Sequence, residues 1–302
     1  MKETEPTIEL PAKSTEFIAH RDTMLLVDQL LEYSKGNVKG TAIINEDNPF
    51  LDKSGIVSRI CLVEIIAQTV ASGKGYEAMI YKESPKTGFL VGVNDFNFLG
   101  DVKINDKLTI TSQEESHVGD FTIISGKIEV NSKIVAHGNL KFYEIEGDPV
   151  KSPSKFDNSL SGEALPDTAN RSFLPINDKS PFFKSISESS FDFKTFDQNT
   201  KASASFCFKN NFIGFEGHFP DYPILPGVVM MEILLLLAET LFEKPLEIKT
   251  IRKAKFSKQS YAEDLLNAEL SMTLVENLWT INAKLACNDM PVSSLILKAS
   301  SN

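Results

Sequence analysis

The sequence is poor in cysteine, in positive charge and in long apolar runs, and each shortage excludes a class of protein. Its 302 residues contain three cysteines, and Cys61, Cys207 and Cys287 lack the paired spacing of a zinc site or a disulfide framework. We expect them to be reduced and buried. Lysine and arginine number 31 against 41 aspartates and glutamates, a net charge of -10. We therefore expect no nucleic-acid partner, because phosphate binding needs a basic face.

Membrane and cofactor signals are also missing from the sequence. The longest aliphatic run, Ile233 to Ala238, is far too short to cross a bilayer. Residues Met1 to Thr15 mix acids, lysines and prolines, without the apolar segment of a secretory signal. We expect a cytoplasmic protein with no membrane span. The sequence also has no Gly-rich phosphate loop and no metal-ligand spacing, so we predict neither a metal nor a redox cofactor.

One stretch of biased composition divides the chain. From Glu144 to Pro181 the sequence fills with Pro, Ser, Asp and Asn, which is typical of a linker. On either side the same order of signals occurs: two extended segments, one apolar helix and four strand-like runs. This order predicts an α+β protein with a first domain over 1–147, a linker over 148–178 and a second domain over 179–302. One long helix followed by consecutive antiparallel strands favours a sheet wrapped around that helix.

The periodic segments predict the element positions in both halves. In the first half the signals are extended segments at Met24 to Glu32 and Val38 to Ile44, a helix from Ile56 to about Ile80, and strands at Gly88 to Phe98, Lys107 to Glu115, Phe121 to Val130 and Lys133 to Tyr143. In the second half they are strands at Ser190 to Phe196 and Ala202 to Phe208, a helix opening at Pro226 and Gly227, and four strands ending at Lys298.

The segment FEGHFPDYPILPGVVMME, from Phe215 to Glu232, carries the main candidate for chemistry. Its prolines predict a rigid, extended loop, and Pro226 with Gly227 marks a helix start. His218 lies on the loop and Glu232 on the apolar helix. A lone histidine is more often structural, but a rigid loop, a helix N-terminus and a carboxylate together favour a catalytic role.

The segment GHFPDYPILPGVVMME resembles the signature of the hotdog-fold 3-hydroxyacyl-[acyl-carrier-protein] dehydratases, in which the histidine precedes the glutamate by fourteen residues, as His218 precedes Glu232. The first half resembles the same family through AHRDTMLLVDQLLE (His20 to Glu32) and LVEIIAQTVASGKG (Leu62 to Gly75). The resemblance implies two tandem hotdog domains that pair as an intramolecular pseudo-dimer, sheets edge to edge and helices side by side. The first half is closer to partner subunits of aryl polyene and flexirubin type pigment dehydratases than to fatty-acid enzymes.

The two halves depart from the family pattern in opposite ways. The first half has no counterpart of the GHFP histidine but keeps Glu64 and Gln68, one helical turn apart, as in the family's E-x-x-A-Q pattern. The second half keeps His218 and Glu232 but has Leu236 where the glutamine would be. In the family's dimers the histidine of one subunit works with the glutamate of the other. The resemblance therefore implies one working site, His218 with Glu64, and one degenerate site at Glu232.

Removing water from a 3-hydroxyacyl thioester needs a base, an acid and a donor to the thioester oxygen. Histidine titrates near neutral pH, so neutral His218 is the predicted base. The apolar neighbours of Glu64 would raise its pKa and keep it protonated as the acid, with Gln68 holding its orientation. The backbone N–H of Gly227 at the helix start can donate to the thioester oxygen.

The resemblance implies a substrate carried on the phosphopantetheine arm of an acyl carrier protein. The densest basic stretch of this acidic chain is Arg252, Lys253, Lys255 and Lys258, which indicates either a docking place for that acidic carrier or a solvated strand face. Further homo-oligomers are compatible with the sequence. For the remaining histidines, His20, His117 and His137, we expect structural roles and no catalytic partner.

Three other functions remain compatible with the sequence. A hotdog acyl thioesterase would activate water with a carboxylate and would not need His218. A dehydratase that also isomerises the double bond typically has aspartate where this chain has Glu64 and Glu232. A non-catalytic scaffold that binds acyl-carrier proteins is the third, and the intact His218 and Glu64 argue against it. The expected activity is that of a lyase producing trans-2-enoyl thioesters in fatty-acid or polyene-pigment biosynthesis.

Overall fold

The structure is a computed structural model that describes residues 8–84, 86–146, 180–218 and 224–301. The predicted linker, 148–178, lies outside these residues, and the predicted domain boundaries stay predictions. Within the described residues Cys61, Cys207 and Cys287 are free thiols, with Cys61 and Cys287 buried. In the described parts of the chain, no helix combines the length and the apolar character that a bilayer crossing needs.

The first half forms a curved antiparallel sheet around one long helix. Its elements are β1 (Ala12–Lys13), β2 (Gln29–Ser34), β3 (Asn37–Ile43), α1 (Cys61–Tyr81), β4 (Lys86–Phe98), β5 (Lys107–Val118), β6 (Phe121–Val130) and β7 (Lys133–Glu146). The strand order is β1-β2-β3-β5-β6-β7-β4. Most of α1 is buried because one apolar face of the sheet needs a partner to cover it.

The second half repeats this architecture. Its elements are α2 (Pro181–Glu188), β8 (Ser190–Phe196), β9 (Lys201–Cys207), α3 (Gly227–Phe242), β10 (Leu246–Phe256), β11 (Leu265–Val275), β12 (Leu278–Cys287) and β13 (Met290–Ser301). The strand order is β10-β13-β12-β11-β9-β8. The central helix α3 is buried from Val228 to Leu241 and is apolar on all sides except at two glutamates and a threonine.

The two sheets join through strands β4 and β10 into one sheet of 13 strands among the described residues. The two strands run antiparallel, with Phe96 opposite Ile251. Arg59, just before α1, forms hydrogen bonds on both sides of this junction. It donates to Asp101 in its own half at 2.7 Å. In the other half it donates to Glu247 at 2.8 Å and to the Ile248 carbonyl at 2.6 Å. Helices α1 and α3 contact each other beneath the joined sheet. The expected α+β class and the pseudo-dimer are confirmed.

Two local expectations differ from the structure. Helix α1 starts at Cys61 and not at Ile56, because Ile56 pairs with Lys103 and the Val57 N–H donates to the Val102 carbonyl. Helix α2 was not predicted at all. It follows the linker-like composition directly, and its Pro181 at the first turn and its buried phenylalanines provide the only local signals.

Candidate active site

Glu64 lies in the first turn of α1 and is buried, with 6% of its surface exposed. Burial raises the pKa of its carboxyl group, and a hydrogen bond from Gln68 opposes that rise. The Gln68 amide donates to Glu64 Oε1 at 3.0 Å, which is possible because the two residues lie one helical turn apart. Glu64 is thus a carboxyl group biased toward its protonated form and held in one orientation.

Gln68 also connects α1 to the chain that follows His20. Its amide nitrogen donates to the Met24 carbonyl at 2.8 Å, and its carbonyl accepts from the Leu26 N–H at 2.9 Å. These bonds satisfy two buried backbone groups that have no strand partner at this point. Gln68 therefore fixes both the Glu64 carboxyl and the segment that approaches it.

His218 follows a turn in which only glycine fits. Gly217 has a φ of +75°, and a Cβ atom there would lie 1.8 Å from the Arg21 carbonyl oxygen. The Arg21 N–H of the first half donates to the Gly217 carbonyl of the second half at 2.9 Å. The positive φ and the close approach both require glycine. The loop that carries His218 is therefore anchored on the segment His20–Arg21 of the other domain.

The His218 imidazole is buried, with 7% of its residue surface exposed. Its Nδ1 lies 3.2 Å from the Ile224 carbonyl oxygen, and a carbonyl accepts only, so Nδ1 carries the proton and donates. In this tautomer the lone pair that can accept a proton is on Nε2. Burial, followed by the nearby His20, lowers the pKa of His218 to about 3, which makes the ring neutral at pH 7.

The fold brings His20, Glu64 and His218 together across the domain junction. One nitrogen or oxygen from each lies within 4.8 Å of the others. His20 Nε2 is 3.6 Å from Glu64 Oε1, and the centroids of the two imidazoles are 5.3 Å apart. The structure thus places the predicted base and the predicted acid in one cluster, while their catalytic roles remain predictions.

The expectation that His20 has no partner in the site is wrong, since it lies against both Glu64 and His218. The one sequence signal that could have indicated this was its place in the segment AHRD, which resembles the family. Within the described ranges, these three residues are also the group whose donor atoms are close enough to hold a metal ion. No metal-ligand spacing was visible in the sequence because the three residues are far apart along the chain.

Gly227 is the first residue of α3, after Pro226. The first N–H groups of a helix have no partner within it, so this N–H can donate to a substrate oxygen. A Cβ at this position would lie 3.1 Å from the Phe256 ring, which leaves little space for a larger side chain. The proposed contact of Gly227 with the thioester oxygen stays a prediction.

The pocket related to this one by the repeat contains Glu232. Gly55 and Gly217 both have positive φ, and the residues Ile56 and Ile224 form equivalent bridges to the following strand region. Ile56 follows Gly55 directly, whereas six residues, 218–223, separate Gly217 from Ile224. The first half therefore lacks the whole loop that begins with His218. With that loop absent, the Ser58 hydroxyl of the first half donates to Glu232 Oε1.

Phenylalanines pack next to Ser58, whose N–H donates to the Phe50 carbonyl at 2.9 Å. Phe50 of the first half packs on Phe182 of α2 with ring centroids 4.9 Å apart, and Phe182 lies 6.0 Å from Phe212. Both Phe50 and Phe182 are buried. Leu236, at the position that corresponds to Gln68, is also buried and offers no hydrogen bond. Among the described residues, the Glu232 pocket therefore shows a carboxyl group bonded to a hydroxyl and no imidazole, and the adjoining aromatic packing is that of a core.

The predicted basic patch is only partly assembled. Arg252, Lys253 and Lys255 are exposed on β10, next to the domain junction, while Lys258 is half-buried beyond the strand. The Arg252 guanidinium forms an ion pair with Asp95 of the first half at 3.0 Å. Lys258 lies near Cys287, whose pKa its charge lowers against the larger effect of burial. The charge available at this face therefore comes mainly from Lys253 and Lys255.

Two further lysines join Lys255 in one row across the sheet. Lys255 pairs with Gly92 and Ser294 on its two sides; Lys141 pairs with Gly92, and Lys284 with Ser294. The row continues from Lys284 to Glu269, which forms an ion pair with it at 2.9 Å, so the positive charge of this row comes mainly from Lys141 and Lys255. Sequence reasoning missed the row because its members come from β7, β10 and β12.

Comparisons with known proteins agree with this architecture. Residues 12–152 match the model of the ApeP-like family, described as ApeP dehydratase, and residues 194–283 match the ApeI-like family, described as ApeI dehydratase. The chain is 27% identical over 131 residues to the 3-hydroxyacyl-[acyl-carrier-protein] dehydratase FabZ of Streptococcus sanguinis, which covers 42% of this chain and 91% of that protein.

Solved structures share the fold over nearly the whole chain. The dehydratase domain of PpsC from Mycobacterium tuberculosis, in complex with C12:1-CoA, has a TM-score of 0.54 at 11% identity, covering 93% of this chain and 100% of that one. An acyl-ACP thioesterase from Bacteroides thetaiotaomicron has a TM-score of 0.52 at 14% identity, covering 87% and 98%. At these identities the likeness concerns the fold alone, since the two have different activities.

The family matches give the class of this protein of two fused hotdog domains: it is a dehydratase, a hydro-lyase of the hotdog class. The family matches cover both halves. The chain belongs to the tandem hotdog dehydratases of the aryl polyene type, with an ApeP-like first domain and an ApeI-like second domain.

Proposed function

We propose that the site between the domains removes water from a 3-hydroxyacyl group, carried as a thioester on an acyl carrier protein, and yields the trans-2-enoyl thioester. The observation that carries this proposal is the meeting of His218 and Glu64 in one buried cluster. The family matches support the reaction class. The residue roles rest on the geometry and on the chemistry that the reaction needs.

His218 is the base in this scheme. Its Nδ1–H is engaged by the Ile224 carbonyl at 3.2 Å, so Nε2 can accept the proton from the α-carbon of the acyl group. Glu64, whose pKa burial raises, gives its proton to the departing hydroxyl group. The C–H and C–O bonds break, the carbon–carbon double bond forms, and one water molecule leaves.

The charges created by the reaction compensate each other. Proton transfer converts a neutral imidazole and a neutral carboxyl group into an imidazolium and a carboxylate that lie within 4.8 Å of one another. Burial opposes each charge alone, but an adjacent opposite charge favours both. Return of the proton from His218 to Glu64 restores the resting state. The Gly227 N–H at the start of α3 stabilises the thioester oxygen during the reaction.

This reaction needs no metal and no redox cofactor; the phosphopantetheine arm comes with the carrier protein. We expect the enzyme to work in the cytoplasm, where such carriers reside. The acidic carrier docks on the basic face formed by Lys141, Lys253 and Lys255, which stands out in a chain of net charge -10. Charge complementarity at such a face speeds encounter more than it strengthens binding.

The test is to incubate the protein with a 3-hydroxyacyl-carrier thioester, and separately with the enoyl thioester in the reverse direction, and to identify the products by mass spectrometry and NMR. We expect interconversion of the two thioesters. Release of free acid and carrier thiol would indicate a thioesterase, and a shifted double bond would indicate an isomerase. Binding without any conversion would indicate a scaffold and would contradict the proposal.

A further inference from the structure

We propose that His20 is a positioning residue of the active site: its ring packs against both the Glu64 carboxyl group and the His218 imidazole and fixes their positions. This inference rests on the proposed function of the His218–Glu64 pair. It adds a third member, from a segment of the first domain, to a site whose chemistry requires only one base and one acid.

The geometry supports a direct role. His20 Nε2 lies 3.6 Å from Glu64 Oε1, and the His20 ring meets the His218 ring edge to face, with an interplanar angle of 66°. The His20 side chain is 10% exposed and the Glu64 side chain 8%, so the two groups meet in a buried site. A change in the His20 ring therefore alters a direct neighbour of both Glu64 and His218.

The backbone around His20 is fixed on both sides. The Arg21 guanidinium donates to the carbonyls of Ile18 (2.6 Å) and His20 (2.7 Å), which curls the chain around the ring. Gln68 holds the chain four and six residues later through Met24 and Leu26. A ring on so constrained a backbone has few positions, which suits it for orienting its neighbours.

The same segment is bonded to the loop that carries His218. The Arg21 N–H donates to the Gly217 carbonyl, so the residue after His20 holds the residue before His218. His20 and His218 therefore approach through their backbones as well as through their rings. The position of the base relative to the acid is set by first-domain residues 20–21, across the domain junction.

The lowered pKa of His20 is consistent with a buried, neutral ring beside Glu64 and His218. Burial, followed by the Arg21 charge, lowers the pKa of His20 to about 4. The groups that face it are Arg21 beside it, Glu64 on α1 and His218 on the opposing loop. Since a proton on either ring repels a proton on the other, a neutral His20 ring lets His218 accept a proton during the reaction without that repulsion.

The experiment compares His20→Gln with His20→Phe, using His137→Asn on the exposed sheet surface as the control. Glutamine keeps a polar group that can reach the Glu64 carboxyl, whereas phenylalanine keeps the ring shape alone. We expect kcat to fall by about 10- to 100-fold in His20→Phe, less in His20→Gln, with KM within about twofold in both because substrate contacts remain. A residue that merely fills space would show the opposite order, with phenylalanine the milder change.

A second readout does not depend on dehydration. The NMR signals of the His218 ring, assigned through the loss of signals in His218→Ala, should shift in His20→Gln and stay unchanged in His137→Asn. Unchanged His218 signals, or phenylalanine outperforming glutamine, would overturn the proposal. If the native protein dehydrates no thioester, the proposed function fails, yet the NMR comparison still decides whether His20 sets the environment of His218.

Discussion

The two halves of the chain build the same pocket twice and fill it in opposite ways. Between the first-domain helix and the second-domain loop lie two imidazoles and a carboxyl group that an amide orients. Between the second-domain helix and the first-domain loop lie a carboxyl group bonded to a serine hydroxyl and a cluster of phenylalanines. The backbone glycines at the two turns are retained in both pockets.

This difference shows which parts of the pocket serve the fold and which serve the reaction. The glycine turn, the bridge after it and the buried helix are common to both halves, so the architecture requires them. The six residues 218–223 have no counterpart in the sequence of the first half, and in the described parts of the chain the glutamine beside the acid and the facing His20 belong to one pocket. A fused pair needs only one working pocket, so the other can become part of the core.

Among substitutions that distinguish the two pockets, we expect the largest loss of kcat from His218→Ala. Removing a general base costs about 10²- to 10⁴-fold in rate, and we expect kcat to fall in that range. Ser58→Ala is the matched control, because Ser58 bonds the carboxyl group of the other pocket; its rate should stay within about twofold. Steady-state kinetics on one acyl-carrier substrate measures both, with melting curves to confirm folding.

The double variant His218→Ala/Glu64→Gln sharpens this result. Residues that act as one unit are strongly non-additive, so the double variant should be scarcely slower than the slower single variant. Full multiplication of the two single effects would mean that the two groups act independently.

We expect a smaller loss of kcat from a substitution at Gly217, where the Arg21 backbone of the first domain contacts the second domain. In Gly217→Ala the new Cβ would overlap the Arg21 carbonyl, whereas Gly119→Ala, also at positive φ, meets open space. We expect Gly217→Ala to lower kcat by about 10- to 100-fold through displacement of His218. Gly119→Ala shares the backbone strain without the clash and should leave kcat unaltered. Equal kinetics in the two variants would show that the anchor does not position the base.

The working pocket should also be visible in the pH dependence of stability. Folding lowers the pKa of His20 to about 4 and of His218 to about 3, so the unfolded chain binds more protons below its ordinary histidine pKa of about 6.5. Stability is therefore present above that pH and is lost as the pH falls. From pH 7 to pH 5 the free energy of unfolding should drop by about 2 kcal/mol for each of the two rings.

Urea unfolding at the two pH values measures this drop. His20→Asn should remove about half of the loss attributed to the two rings, and His137→Asn, at an exposed position, is the control substitution. A drop of the same size in the native protein and in His20→Asn would contradict neutral burial of His20.

The smallest expected effect concerns the basic face, which both halves share. Reversing Lys253 and Lys255 to glutamate should raise KM for the carrier-bound substrate several-fold without changing kcat, and the difference should shrink as salt rises. Reversing Lys107 and Lys133, which are exposed elsewhere, provides the control. If KM stays unchanged, Lys253 and Lys255 are only part of a solvated strand face.

The order of elements and the central helices were predictable from the sequence, because periodicity is a local signal. The candidate pair His218 and Glu64 followed from the family resemblance, and its catalytic roles stay predictions. The position of His20 in the site was not predictable, since its neighbours in space come from another helix and from the other domain. The phenylalanines of α2 were missed for a related reason. They pack on Phe50 across the junction, and the linker-like composition before them hides the helix.

The lysine row shows the same limit on the surface. Sequence reasoning found the local run on β10, but Lys141 and Lys284 join it only through strand register. It also could not show that Arg252 is paired with Asp95 or that Lys258 lies beyond the exposed face. Charges close along the chain are thus a poor guide to charges close in space, where a sheet brings distant strands together.

The most direct test of the account compares Glu64→Gln with Glu232→Gln in one assay of dehydration. The two glutamates occupy equivalent positions on buried helices, and the substitution preserves shape in both. The account predicts that Glu64→Gln loses about 10²-fold or more in kcat, whereas Glu232→Gln stays within about twofold. Loss of dehydration in Glu232→Gln with an active Glu64→Gln would contradict the cross-domain site and place the acid in the second domain.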